Sequence, residues 1–245
     1  MKYHLRMAFF AILLASILVA CGSTSSPSST TSSASSTNTN KSSGSSTSTG
    51  SSSTPQAAGT TCSSTSGTTY NLDTQQSSAS YKVQEQFLNR DLPNDAIGTT
   101  KDVKGNFVVK LGTAPQMLKM NITANLQVLT SDQDRRDNSI RTQWLDSNDY
   151  PNAIFTIIQP QNLPADYQGK TVTFNLTGNM TIHNTTRQET FKVTGKLDGN
   201  TISGTAQSLI YMKNYGFSAP NIAGILTVKD GATVTFNFVA KAASC

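Results

Sequence analysis

Acidic residues are missing from the first 72 positions of this 245-residue chain: all 14 lie between Asp73 and Asp230. Charged residues make up only 13% of the whole, where an average soluble domain carries roughly a quarter. The cations before Asp73 are Lys2, Arg6 and Lys41, and removing these three from the 19 Lys and Arg leaves 16 against 14 acids. The formal charge of +5 therefore shrinks to about +2 over the remainder, with no cluster of Lys and Arg such as a nucleic-acid surface requires. Nucleic acid is excluded as a partner. Histidine is almost as scarce, with two in the chain and only His183 beyond the leader, and the glutamates are Glu85 and Glu189. A histidine-based metal site needs more ligands than that. Neither an H-E-x-x-H helix nor a G-x-S-x-G elbow occurs, so no enzyme, no metal and no cofactor is expected. The run Asp132-Gln133-Asp134 with Asp137 loosely resembles a calcium loop, but Gln143 stands where a bidentate glutamate belongs and the central glycine is missing. These acids read instead as a helix start, where carboxylates suit the dipole.

Long apolar runs are also lacking. The longest, Met7–Ala20, is broken by Ser16 and is short of the ~20 residues that span a bilayer as a helix. It follows Lys2 and Arg6 and ends in Leu18-Val19-Ala20-Cys21-Gly22, which resembles the bacterial lipobox. In that motif the cysteine thiolate is lipidated before cleavage. Residues 1–21 are therefore expected to be a lipoprotein signal peptide, with Cys21 as the lipid-attachment site and mature N-terminus. A multi-acyl anchor there would hold the protein stably to the bacterial cell membrane, facing the extracytoplasmic side. Residues 22–69 are roughly two-thirds Ser and Thr, with no aromatic residue, a composition expected to form a disordered linker. A coil of that length reaches about 35–40 Å. With Cys21 taken by lipid, Cys62 and Cys245 remain, and in an exported protein such a pair is expected to form a disulfide that ties the start of the domain to its end.

Residues 70–245 form the expected domain, and their apolar positions recur with period two. Leu118, Met120, Ile122, Ala124, Leu126 and Val128 alternate with polar residues, as do Val172, Phe174, Leu176, Met180 and Ile182, then Phe191 with Val193, and Val234, Phe236 and Phe238. Such alternation means strands with one dry and one wet face. Turn residues separate them at Gln168-Gly169-Lys170, His183-Asn184-Thr185 and Asp198-Gly199-Asn200. Only Gln133–Leu145 reads as helix, with Asp132 as its cap and Ile140 and Trp144 one turn apart. The fold class is all-β, an antiparallel barrel or strongly curled sheet with one short helix.

Several stretches then resemble the YceI-like family. They are Leu129-Thr130-Ser131-Asp132 through Arg135-Arg136-Asp137, Ile140 and Trp144-Leu145 to Tyr150-Pro151-Asn152-Ala153-Ile154-Phe155, then Gly178-Asn179-Met180-Thr181-Ile182-His183, and Tyr215-Gly216-Phe217. Ser80-Tyr81-Lys82-Val83, Gly98-Thr99-Thr100 and Val103-Lys104-Gly105 fit the opening strands. Where the family often has His-Ser, Gln76-Ser77 stands here, and Asn89–Asn94 reads as an insertion with no assigned role. The resemblance implies a lipocalin-like antiparallel barrel whose apolar interior holds a long-chain lipid, typically a polyisoprenoid.

The candidate cavity residues are Leu118, Met120, Ile122, Ala124 and Leu126 on one strand and Val172, Phe174, Leu176, Gly178, Met180 and Ile182 on another. Trp144, Phe155, Phe191 and Phe217 complete the set. Small residues at Ala124, Gly178, Gly204 and Ala206 are expected to leave room, and Met adapts to irregular apolar shapes. Arg135, Arg136, Arg141 and His183 are head-group candidates; the arginines either meet an anionic head group at the cavity mouth or pair with Asp132, Asp134 and Asp137. The expected function is that of a membrane-anchored lipoprotein binding a hydrophobic lipid. The alternative is a ligand-free structural or adhesive surface module on the same stalk.

Overall fold

Period-two alternation becomes twelve strands in the computed structural model, which describes residues 67–244. Cys21, Cys62 and Cys245, the leader and nearly all of the linker lie outside the described residues. The strands are β1 (Thr68–Leu72), β2 (Ser78–Phe87), β3 (Asn94–Thr100), β4 (Val103–Lys110), β5 (Gln116–Asn125), β6 (Asn152–Ile157), β7 (Gln161–Asn162), β8 (Thr171–Ile182), β9 (Thr185–Asp198), β10 (Thr201–Tyr211), β11 (Asn221–Ile222) and β12 (Leu226–Ala242). All pair antiparallel in one sheet, in the order β1-β4-β5-β6-β8-β9-β10-β12, and β12 returns to β1 through Tyr70 opposite Ala242. The result is a closed eight-stranded barrel, which leaves no free edge on those strands. Residues Leu226–Asn237 of β12 pair with β2 across a bulge between Val228 and Ala232, and β2 pairs with β3, so a second hairpin extends the wall.

The turns follow their local chemistry. His183 and Asn184 both have positive φ, 50° and 56°, which is the two-residue turn that matches the right-handed twist of β8 and β9. Gly199, at φ 55°, performs the same service between β9 and β10. Gly105 is needed for another reason: its φ is 138°, and a Cβ there would lie 2.0 Å from the Asn121 carbonyl oxygen.

One helix, α1, runs from Asp134 to Ser139 and continues through Trp144 as a π turn, with the Leu145 N–H reaching the Ile140 carbonyl. Asp132 does not cap it. The N-cap position is Gln133, which makes no side-chain cap bond. Asp132 instead pairs with Arg136. Asp137 turns back to accept bonds from the Ser131 backbone N–H at 3.0 Å and its hydroxyl at 2.6 Å. Hydrogen bonds from the loop and the Arg136 charge outcompete the helix dipole for these carboxylates.

Two apolar clusters fill most of the interior. One gathers Tyr70, Phe107, Leu176, Phe191 and Val193, with Tyr70 and Phe107 stacked at 5.7 Å. The other gathers Val83, Ala96, Met180, Ile210, Met212 and the fully buried Tyr215, whose hydroxyl donates to Glu189 at 2.8 Å.

Candidate functional site

The alternation that dries one face of each strand points those side chains into a shared space. Between the two clusters runs a cavity of about 290 Å³, near the lower edge of small-molecule pockets, which run from roughly 300 Å³ upward. Val172 and Ile182 both line it, ten positions apart on β8. At ~3.3 Å per residue and an ordinary strand tilt of about 35–45°, that span is about 25 Å along the barrel axis. The space is slender, and hydrocarbon lines nearly all of it.

Most of the expected cavity residues are on this wall. Met120, Ile122, Ala124 and Leu126 line it from β5 and just beyond; Trp144 reaches it from the π turn; Phe155, Phe191 and Phe217 complete one side. Val172, Phe174, Leu176, Met180 and Ile182 line it from β8. Leu118 does not line it. The register slips between Val108 and Val109 on β4, so that Val108 faces Lys119 while Val109 faces Met117. The bulge hands the inward position from Leu118 to Met117, which is buried and lines the cavity. Gly178 is on the inward face but provides no space. A Cβ there would lie 2.4 Å from the Thr156 carbonyl oxygen and 2.5 Å from the Phe155 ring, so the ring has already taken the room. Gly204 is similar, with the Thr194 carbonyl oxygen at 2.3 Å. Of the four small residues expected to leave room, Ala124 and Ala206 do face the cavity.

Of the four head-group candidates, Arg136 alone lines the cavity. Arg135 is exposed, and Arg141 donates to the Leu129 carbonyl at 3.3 Å. His183 packs its ring between Tyr150, at 4.0 Å, and Phe217, at 5.6 Å. Arg136 is only 7% exposed and faces Glu85, itself 3% exposed. Its Nε donates to Glu85 Oε1 at 3.1 Å and its Nη2 to Oε2 at 2.9 Å, while Nη1 serves the Ser131 hydroxyl and Asp132. Four of the five guanidinium N–H groups are thus engaged. The charge is matched before any ligand arrives, and Arg136 holds α1 to β2.

Sequence reasoning missed Glu85, although a signal was present. Tyr81, Val83 and Glu85 alternate on β2, and all three line the cavity. Parity alone places the glutamate inside, and a buried carboxylate implies a buried cation. On the same strand face, the Tyr81 hydroxyl is shut from solvent with no hydrogen-bond partner among the described residues, and burial pushes its pKa well above the usual tyrosine value. It stays a neutral donor at any physiological pH.

Among the described residues, no three of His, Cys, Asp or Glu come close enough to hold a metal ion, and no helix is long and apolar enough to cross a membrane. Ser77, beside the Gln76 that departs from the family pattern, is buried and bridges the Val239 backbone, accepting from its N–H at 3.1 Å.

Solved structures with this architecture include a polyisoprenoid-binding domain from Saccharophagus degradans implicated in plant cell wall breakdown. It is 15% identical, with a TM-score of 0.54 over 71% of this chain and 98% of that one. BcnA of Burkholderia cenocepacia is 19% identical, with a TM-score of 0.51 over 69% of this chain and 99% of its own. No curated protein matches the chain. These likenesses establish the fold. The YceI-like domain family matches residues 70–240, from the third residue of β1 to near the end of β12, and the chain belongs to that family.

Proposed function

We propose that this protein binds a long-chain apolar ligand of the polyisoprenoid kind inside its barrel and does so as a lipoprotein anchored through Cys21 on the extracytoplasmic side of a bacterial membrane. The observation that carries the binding reading is the slender cavity of about 290 Å³, apolar along nearly all its length, in which the buried Arg136 is already paired with Glu85. Apolar burial contributes about 25 cal/mol per Å², so an extended hydrocarbon chain gains several kcal/mol there with few directional contacts. The polyisoprenoid class is supported by the binding named for the Saccharophagus domain. A binding role fits this wall, which sets the Arg136–Glu85 pair and the Tyr81 hydroxyl among mostly apolar side chains.

Trp144 on the cavity wall reports occupancy directly. Titration of the full chain with prenyl alcohols of increasing length should shift Trp144 emission saturably and raise the thermal midpoint, because a ligand that binds only the folded state stabilises it. If no chain length changes either signal, the reading fails and the structural or adhesive module takes its place. The anchor is tested by Cys21→Ser, which should move the protein out of the membrane fraction. A Cys62–Cys245 bond belongs to the same exported reading; β1 and β12, the described strands nearest those cysteines in sequence, meet where the Ala243 N–H reaches the Thr69 carbonyl at 2.8 Å. Two alkylatable thiols in the native exported protein would remove it.

A further inference from the structure

The stretch Asn89–Asn94, left without a role above, forms the tip between β2 and β3. Large aliphatic side chains belong inside a soluble barrel, yet Leu88 is 77% exposed and Leu92 78%. On the neighbouring tip, between β11 and β12, Ile225 is 58% exposed and Ile222 40%. The two tips are one unit. The Leu88 N–H donates to the Ile225 carbonyl at 3.0 Å, and Phe87 faces Leu226 in register. The Gln86 side chain donates to the Arg90 carbonyl at 2.6 Å, and the Arg90 guanidinium lies 5.2 Å over the Phe87 ring. These bonds preform the loops, so the exposed leucines and isoleucines are presented by a braced surface.

That surface adjoins the cavity. Pro220 and Val228 both line it, and the Val228 N–H donates to the Pro220 carbonyl at 2.9 Å. Ile222 and Ile225 lie between them in sequence, so the segment that edges the cavity carries the exposed tip. Charge contributes little. Lys82 pairs with Asp95 and Lys213 with Asp230, so the charges left on the tip segments are Arg90 and Lys229 against Asp91. A surface that is apolar at its points and nearly neutral around them suits entry into the interfacial layer of a bilayer.

We propose that the paired β2–β3 and β11–β12 tips dock the barrel on a lipid bilayer, with Leu88, Leu92, Ile222 and Ile225 entering the interface and the Pro220–Val228 edge of the cavity against the membrane. The purpose of the contact rests on the carrier reading, since an apolar ligand exchanges with a membrane and not with water. β1 begins beside Val109, at the end of the wall away from these tips.

The test places tryptophan at the tips of the full chain, bound to phosphatidylcholine vesicles containing a brominated lipid. Leu92→Trp and Ile225→Trp should add blue-shifted emission that the bromolipid quenches several-fold more than the emission added by Ile158→Trp, an exposed site just beyond β6. Adding Leu88→Asp to Leu92→Trp should remove most of that quenching while the thermal midpoint holds, and 0.5 M salt should change it little. Equal quenching of Leu92→Trp and Ile158→Trp overturns the docking. So does tip burial that disappears when vesicles carry a single chain each, which would assign the tips to a second copy of the protein. Tip quenching in a protein that yields no extractable lipid refutes the carrier reading alone; extractable lipid without tip quenching refutes the docking alone.

Discussion

Alternate residues of β8 sit in two different solvents. Val172, Phe174, Leu176, Met180 and Ile182 face the cavity, while Thr173, Thr177 and Thr181 stand on the outside and hydrogen-bond to Thr194, Thr190 and Thr186 at 2.8–3.0 Å. Across β10 and β12 the outer pairs are Thr205 with Asn237 and Gln207 with Thr235. The outer rows are short, polar and exchangeable with water, so each pair contributes little and tolerates change. The inner face sets the Glu85–Arg136 pair and the Tyr81 hydroxyl among mostly apolar side chains, so each substitution there meets either a buried charge or a shaped cavity. The backbone is the same, and the face decides what a residue is worth.

The sharpest way to break that contrast is at the inner ion pair. Glu85→Ala takes the bidentate carboxylate from a guanidinium that is 7% exposed and leaves it Asp132 and Ser131 at one nitrogen, and losing one partner of a buried pair costs up to about 3–5 kcal/mol. Urea denaturation should show that loss, and Glu85→Leu combined with Arg136→Met should recover most of it, because matched apolar replacement of a buried pair is often neutral. Next in size is Ala124→Phe, which fills the cavity from one of the small residues that face it. Overpacking costs about 1–3 kcal/mol, and prenyl-alcohol binding read from Trp144 should weaken by more than tenfold. Tyr81→Phe has the opposite sign: deleting a buried hydroxyl with no partner should stabilise the ligand-free protein by about 1 kcal/mol. On the outer face, Thr177→Ala removes one cross-strand pair and should cost about 0.2–1 kcal/mol, with binding unchanged.

The smallest effect concerns acid. Asp73 accepts from Lys241 and Gln76, and these bonds hold its carboxyl down to about 2 from 3.8. A depressed folded pKa stabilises above the ordinary value, and the contribution disappears as pH falls from about 4 toward 2. Thermal melts of Asp73→Asn should lose that part of the acid dependence and little else.

The barrel was legible because its strands repeat with period two and its turns carry their own signals, such as Asp198-Gly199-Asn200. The site was legible where alternation runs unbroken, on β8. It failed at Leu118, where a bulge that no local residue announces shifts the parity. It failed again at Gly178 and Gly204, because an inward glycine reads as space when a carbonyl from the next strand has come close. For Arg136 the sequence offered a head group or the nearby acids, and it does pair with Asp132, but its buried partner Glu85 is 51 residues away in sequence. Pairings that distant appear only once the sheet closes.

The central claim is that the inner face holds a lipid, and native mass spectrometry of the full chain purified in mild detergent from its own host tests it most directly. The account predicts a mass above that of the chain which organic extraction removes as an apolar, long-chain compound, and which Ala124→Phe diminishes. A bare mass with no extractable lipid, from wild type and variant alike, would contradict it.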